Sequence, residues 1–204
     1  MSTGLRLFCS STSPYSRKVR LLIIEQGLQD QVEIVFVNPF EDNPELIALN
    51  PLGKIPTLLL ENGETLFDSP LVCRYLDSLS PQSTLLAGAG WLHWQRQRWE
   101  ALANGVVDES YNLVMERRRP TDQHSAEWIA RWSSAIHSAL AVMEARVGEL
   151  KGEVTLAQLT VASALGYLDF RLPEALSAAE CPQLLAWYER FKTRPSMLLT
   201  QPTD

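Results

Sequence analysis

Cysteine is scarce, with Cys9, Cys73 and Cys181 the three in 204 residues. No two stand as C-x-x-C, so a disulfide framework is excluded and a structural zinc site is not expected. Histidine is equally thin: His93, His124 and His137 fall apart from one another without metal-ligand spacing, and no metal is expected. No stretch approaches the roughly 20 apolar residues of a membrane span, and the opening MSTGLRLFCSS lacks the pattern of a secretory leader. The expected location is the cytoplasm, with no membrane partner. Basic charge is also the minority sign, 18 Lys+Arg against 24 Asp+Glu for a formal −6. That balance leaves no concentrated basic face, and so no nucleic-acid partner is expected.

What is present is ample apolar material, 46% of the chain, and a change of composition near residue 80. All six tryptophans, Trp91, Trp94, Trp99, Trp128, Trp132 and Trp187, lie after that point, and most short β-like runs lie before it. The segment SPQSTLLAGAG at 80–90 reads as a connector rich in Ser, Gly and Pro. Three parts follow: a first domain at 1–80, a linker at 81–90 and a second domain at 91–204. Six basic residues face ten acidic ones before residue 81, so the acidic balance does not come from a tail.

In the first domain, Leu5–Cys9 and 32–37 read as strands, and between them Val19, Leu22, Ile23 and Gln26 repeat at helical spacing until Gly27. A connection of that length predicts a parallel pair with the helix on one face. A short helix is expected at 42–49. Strands at 56–60 and 64–67 flank Asn62-Gly63, a strong hairpin signal. Asp68 or Ser69 can then cap a helix through about Leu79, with Pro70 in its first turn. This βαβαββα order is that of a thioredoxin-like domain. After residue 90 helices are expected over about 91–118, 123–149, 155–171 and 183–193, broken at Arg119-Pro120-Thr121, which makes the second domain an all-α bundle. Thr155-Leu156-Ala157-Gln158 has the form of a capping box opening an apolar, buried helix.

The residues that could carry chemistry begin with Ser13, at the predicted start of the first helix, where unpaired N–H groups and the positive dipole end favour an anion. Read alone, Ser13 is equally an ordinary N-cap. The segment Ser13-Pro14-Tyr15-Ser16-Arg17-Lys18-Val19 resembles the glutaredoxin C-P-Y-C loop with serine at both cysteine positions, which removes dithiol chemistry there. With serine in the first position it resembles glutathione transferases, in particular the serine-type, zeta- and omega-like soluble classes. Asn50-Pro51-Leu52-Gly53-Lys54-Ile55-Pro56-Thr57-Leu58 and Phe67-Asp68-Ser69-Pro70 are similar to two further family segments, and the box at Thr155 resembles a fourth, with Gln158 in place of the usual Asp.

That resemblance implies glutathione as co-substrate and no metal. It implies that Ser13 stabilises the glutathione thiolate and that Pro56 is cis, turning the backbone of Ile55 toward the cysteinyl unit. Asp68 and Ser69 would receive the γ-glutamyl end, and Lys54 the glycyl carboxylate or a nearby backbone group. A second-substrate pocket is implied around Tyr15, Asn104, Asp108, Tyr111, Asn112 and Met115, with a small electrophile as the substrate and a homodimer as the assembly. The magnitudes suffice: a free thiol of pKa ~8.5 is about 3% ionised at pH 7, and lowering it by ~2 units takes about 2.7 kcal/mol. A hydrogen bond to a charged group contributes about 1.5–3 kcal/mol and a helix N-terminus roughly 0.3–2 kcal/mol. Cys9 is the rival group, although its place at the end of an apolar strand predicts burial. Two alternatives stand beside transfer: glutathione-dependent isomerisation or peroxide reduction on the same site, and a non-enzymatic regulatory or interaction protein that keeps the fold.

Overall fold

A serine-proline start and a glycine stop frame the first helix in the computed structural model, which describes residues 4–80, 85–86 and 88–203. Strand β1 (Leu5–Cys9) leads to helix α1 (Pro14–Glu25), whose N-cap Ser13 accepts a hydrogen bond from the Ser16 N–H. Pro14 occupies the first turn, where its missing N–H costs nothing. Gly27 then takes φ +67°, a left-handed conformation that a side chain would disfavour, and the helix ends. Strand β2 (Val32–Phe36) pairs parallel with β1, Leu5 opposite Val32 and Cys9 opposite Phe36. Helix α2 (Pro44–Leu49) starts from Asn43, whose side chain accepts from the Leu46 N–H at 3.0 Å.

Strands β3 (Thr57–Leu59) and β4 (Thr65–Phe67) form the expected antiparallel hairpin, with Gly63 at φ +85° in its turn and the Asn62 side chain accepting from the Glu64 N–H. Helix α3 (Ser69–Leu79) follows. The sheet order is β2-β1-β3-β4, with β1 antiparallel to β3, so this unit is the thioredoxin-like fold. Strand β2 is an edge, which explains why its faces do not alternate cleanly: Val32 is buried but Phe36 is 58% exposed, with the Arg20 guanidinium 5.3 Å from its ring. Leu7, Leu21, Leu22, Leu58, Val72 and Leu76 belong to the core between the sheet and the α1–α3 pair, while Phe8, also fully buried, faces the other side of the sheet with Arg6. Each such fully buried side chain contributes about 1.5–3 kcal/mol of hydrophobic stabilisation.

The chain divides into two compact units, Met1–Ala87 with Pro195–Asp204, and Gly88–Arg194. The expected second domain of 91–204 therefore differs at its end. A helix absent from the sequence reading, α8 (Pro195–Leu199), packs against α1, and its Ser196 and Met197 are each 1% exposed. Five residues are too few to show a helical period, so only the packing reveals it. Of the expected linker at 81–90, residues 81–84 and 87 lie outside the described residues.

The other unit is helical: α4 (Trp91–Arg117), α5 (Ala126–Arg146), α6 (Leu156–Arg171) and α7 (Pro182–Phe191). The α4–α5 turn at Pro120 is tied by the Glu116 carboxylate, which accepts from the Ser125 N–H at 2.7 Å and the Arg119 guanidinium at 3.1 Å. Residues Leu156 to Leu168 of α6 are all buried, packed against α4. Its capping box is complete, the Gln158 amide oxygen accepting from the Thr155 N–H at 2.7 Å. Glutamine adds a donor that an aspartate lacks, and its Nε2 reaches the Leu150 carbonyl at 3.3 Å. Trp99 and Trp187 belong to the core, whereas Trp91, Trp94 and Trp128 are at least half exposed.

Candidate functional site

Strand direction gathers three loops at one edge of the sheet. Phe8 lies opposite Val35 on one side and Thr57 on the other, and Thr57 lies opposite Phe67. The C-terminal end of β1, the N-terminal end of β3 and the C-terminal end of β4 are thus neighbours, at strand spacings of about 4.8 Å. From this edge rise the segment carrying Ser13, the turn carrying Lys54, Ile55 and Pro56, and the step from Phe67 to Asp68 and Ser69.

At the first of these, Ser13 is half-buried, its N–H donating to Ser10 Oγ at 3.2 Å and its Oγ accepting from the Ser16 N–H at 3.2 Å. The capping role leaves the hydroxyl hydrogen to donate elsewhere. Both readings of Ser13 are compatible in one geometry. Cys9 is different: it is wholly buried, and burial pushes its thiol up to about 11, with Arg20 opposing the shift. A thiol held neutral and out of reach is not a nucleophile at ordinary pH.

The second loop is built on a residue that sequence reasoning quoted but did not single out. Asn50, 1% exposed, donates through Nδ2 to the Lys54 carbonyl at 3.0 Å and to Thr57 Oγ1 at 3.1 Å, while its Oδ1 accepts from the Leu52 N–H at 3.0 Å. Thr57 Oγ1 in turn donates to the Lys54 carbonyl at 2.8 Å. These bonds hold the turn rigidly from inside, and the Ile55–Pro56 peptide bond is cis. Ile55 makes no main-chain hydrogen bond among the described residues, so its backbone groups remain available. The Lys54 side chain is exposed beside it. An asparagine beginning an Asx turn before a proline is the local signal that could have pointed to Asn50.

The third loop starts α3 without a side-chain cap. Asp68 occupies the N-cap position with extended φ and ψ, yet its carboxylate makes no capping bond, unlike the expectation that Asp68 or Ser69 caps the helix. Asp68 is exposed, and the Phe67–Asp68 peptide bond is also cis. Ser69 is 1% exposed and its Oγ has no hydrogen-bond partner among the described residues. An uncapped helix start with an orphan hydroxyl and a carboxylate at its rim suits a group bearing both an anion and a cation.

In the helical unit, Asn104, Asp108, Tyr111, Asn112 and Met115 share one side of α4 by their spacing, with Asp108 and Asn112 exposed and the other three half-buried. Tyr15, on α1 of the sheet unit, is half-buried. Among the described residues no cluster of His, Cys, Asp and Glu is placed to hold a metal ion, and no helix is long and apolar enough to cross a membrane.

Comparison with known proteins matches residues 12–79 to the glutathione S-transferase N-terminal domain and residues 126–190 to the glutathione S-transferase C-terminal domain. The chain is 32% identical over 203 residues to the Escherichia coli K12 protein described as uncharacterized GST-like protein YibF, covering 97% of this chain and 98% of that one. The chain belongs to the glutathione S-transferase family. Among solved structures, a glutathione transferase family member from Pseudomonas fluorescens Pf-5 with bound glutathione superposes with a TM-score of 0.94 at 39% identity, covering 98% of this chain and all of that one. A second structure of a family member from that source, with bound S-(propanoic acid)-glutathione, gives 0.89 at 39% identity over 98% of this chain and all of that one. The maleylacetoacetate isomerase of Pseudomonas aeruginosa is 27% identical over 152 residues, 71% of this chain and 70% of that enzyme.

Proposed function

We propose that this glutathione S-transferase family chain binds glutathione at the gathered sheet edge and directs its thiolate at a small electrophile. The observation that carries this reading is the start of α3, where Ser69 Oγ is buried without a partner and no side chain caps the helix. A γ-glutamyl group supplies what is missing: its carboxylate takes the Ser69 hydroxyl and the free N–H groups, and its ammonium faces Asp68. The Ile55 backbone, available beside cis-Pro56, pairs with the cysteinyl backbone, and Lys54 attracts the glycyl carboxylate. The thiol then falls at Ser13, where a hydroxyl donor and the α1 N-terminus favour the thiolate. The bound thiolate attacks the electrophilic carbon, the C–S bond forms, and the leaving group departs with the electron pair. No covalent protein intermediate is required. Glutathione in the Pseudomonas fluorescens structure, 39% identical over nearly the whole chain, supports the same ligand here.

In this reading 1–80 is the glutathione-binding domain. The helical domain, notionally 91–204 and ending at Arg194 by packing, serves the second substrate and a homodimeric assembly in the cytoplasm. Asn104, Asp108, Tyr111, Asn112, Met115 and Tyr15 are assigned to the electrophile, and their mixed polarity suits a polar one. Isothermal titration with glutathione, followed by assay against a panel of electrophiles, tests the proposal. Binding in the micromolar to millimolar range with consumption of glutathione supports it, and no heat at millimolar ligand leaves a non-enzymatic family member as the better description. Similarity to maleylacetoacetate isomerase favours one second reading, glutathione-assisted isomerisation. Product analysis separates the two, because an isomerase returns free glutathione and a transferase consumes it.

A further inference from the structure

The segment from α8 onward has no place in the site as described so far, yet it is bound along the full length of the helix that presents Ser13. Arg17 lies one turn beyond Ser13 and is 5% exposed. Its Nη2 donates to the Met197 carbonyl at 3.2 Å and its Nε to Thr200 Oγ1 at 3.4 Å. Thr200, wholly buried, passes its own proton to the Ser196 carbonyl at 2.8 Å, and the Ser196 hydroxyl donates to the Glu25 carboxylate at the far end of α1. At the near end the Ser11 hydroxyl donates to the Thr203 carbonyl at 3.1 Å. One short stretch of chain therefore grips α1 at its last residue, at its second turn and in the loop before it.

A buried guanidinium needs acceptors, and its planar fork fixes the direction from which they come. Here α8 and the residue after it supply them, so the rotation of α1 about its axis and the seating of this segment are set together. Ser13 moves with α1, since the Arg17 N–H donates to the Ser13 carbonyl at 2.9 Å and the Ser16 N–H to its Oγ. The bond from Ser11 to Thr203 steadies the loop on the other side of Ser13.

We infer that residues 195–203 form a strap that positions the Ser13 hydroxyl, with Arg17 and Ser11 as its positioning residues. The chemical consequence of the strap rests on the glutathione reading given above. A hydroxyl that must reach a sulfur anion tolerates little displacement, so a looser α1 start weakens thiolate stabilisation while leaving the γ-glutamyl and cysteinyl contacts on other loops in place.

The test uses the full chain, with Arg17→Lys, which keeps the charge and loses the planar fork, and Ser11→Ala, which removes one hydroxyl from an exposed contact. Three readouts are taken: amide hydrogen exchange of the unliganded proteins, the thiol pKa of bound glutathione from thiolate absorbance, and the Kd for S-methylglutathione, whose sulfur is capped. Exchange at the Ser16 and Arg17 amides is expected to quicken by about threefold or more. The bound thiol pKa is expected to rise by about half a unit to one unit, which from a bound value ~2 units below ~8.5 leaves roughly 1.5- to threefold less thiolate at pH 7. The S-methylglutathione Kd should stay within about twofold. Unchanged exchange and an unchanged thiol pKa in both variants overturn the strap, and if Arg17→Lys does not fold, Ser11→Ala alone decides. If the unaltered chain fails to bind S-methylglutathione, the glutathione reading falls, and the exchange measurement still judges the strap.

Discussion

Thr155 opens α6 in the helical unit and Ser13 opens α1 in the sheet unit, each accepting a backbone N–H three residues on. Thr155 is committed in every direction: its Oγ donates to Gln158 Oε1 at 3.1 Å and its N–H to the same oxygen at 2.7 Å. The Ser13 hydroxyl, among the described residues, accepts only and keeps its proton to offer. The contrast extends to other buried hydroxyls. Thr160 and Ser110 return theirs to the carbonyls of Leu156 and Val106 at 2.7 and 2.6 Å, while Ser69 and Ser16 of the sheet unit have no partner among the described residues. These two hydroxyls of the helical unit are spent within their own helix, whereas Ser16 and Ser69 stand open at the starts of α1 and α3. An open buried hydroxyl costs stability unless a ligand completes it, which is why the sheet edge, and not a helix cap, reads as the site.

The largest expected effect breaks this contrast at its centre. In Ser13→Ala, kcat/KM with a reactive electrophile should fall about tenfold to a hundredfold, corresponding to the loss of a roughly 1.5–3 kcal/mol charge-assisted hydrogen bond. Glutathione Kd should change little. Turnover retained within about twofold would remove Ser13 from the chemistry and leave it as a cap alone.

Next comes a pH effect that originates in the sheet unit. Cys9 is raised to about 11 by burial. The folded chain therefore keeps its proton while an unfolded thiol ionises near 9, so stability is complete below pH 9 and declines as pH climbs toward 11. Two units of separation correspond to about 2–3 kcal/mol. Denaturant melts followed by thiol reactivity should show this alkaline decline, and Cys9→Ala should make it shallower, the raised Cys181 thiol and Tyr167 phenol keeping their share. An equal decline in the variant would assign it elsewhere.

Smaller effects of opposite sign sharpen the comparison between caps. Thr155→Ala should cost about 1–2 kcal/mol of stability, since it removes one arm of a buried box, and should leave activity per folded molecule unchanged. Ser69→Ala should leave stability unchanged or slightly raised, because the lost hydroxyl had no partner, while glutathione Kd rises by about tenfold. Ser69→Ala that destabilises without touching affinity would mean the hydroxyl serves the fold and not a ligand.

Local patterns made much of this legible. Asn62-Gly63, the Ser13-Pro14 start and the Thr155–Gln158 box each announce themselves within four residues, and all three have their expected forms. The strap did not, because Arg17 and the Met197 carbonyl are 180 positions apart and α8 is five residues long. Asn50 was legible only in part: its Asx turn before Pro51 is local, but its burial depends on Thr57 and on the Lys54 carbonyl folding back over it. The openness of Ser69 could not be read at all: the residues Asp68-Ser69-Pro70 are equally those of a well-capped helix, and only geometry shows that the carboxylate stands away.

The smallest effect lies at the acid end and in the helical unit. The Ser125 N–H, helped by Arg119, holds the Glu116 carboxyl below its usual range, against a smaller opposing contribution from burial. A depressed folded value means that this carboxylate supports the α4–α5 turn above the ordinary carboxylate pKa of about 4.3 and ceases to do so as pH falls through its folded value. Glu116→Gln keeps an acceptor for the Ser125 N–H and abolishes the titration. All six tryptophans lie in this unit, so their fluorescence follows its unfolding and not that of the sheet unit. Melts between pH 6 and pH 3 should show a shallower loss of stability in Glu116→Gln than in the unaltered chain, with the alkaline decline attributed to Cys9 unaffected. If the two acid slopes coincide, the turn is held by Pro120 and packing alone, and the closure of the helical unit does not depend on this charge.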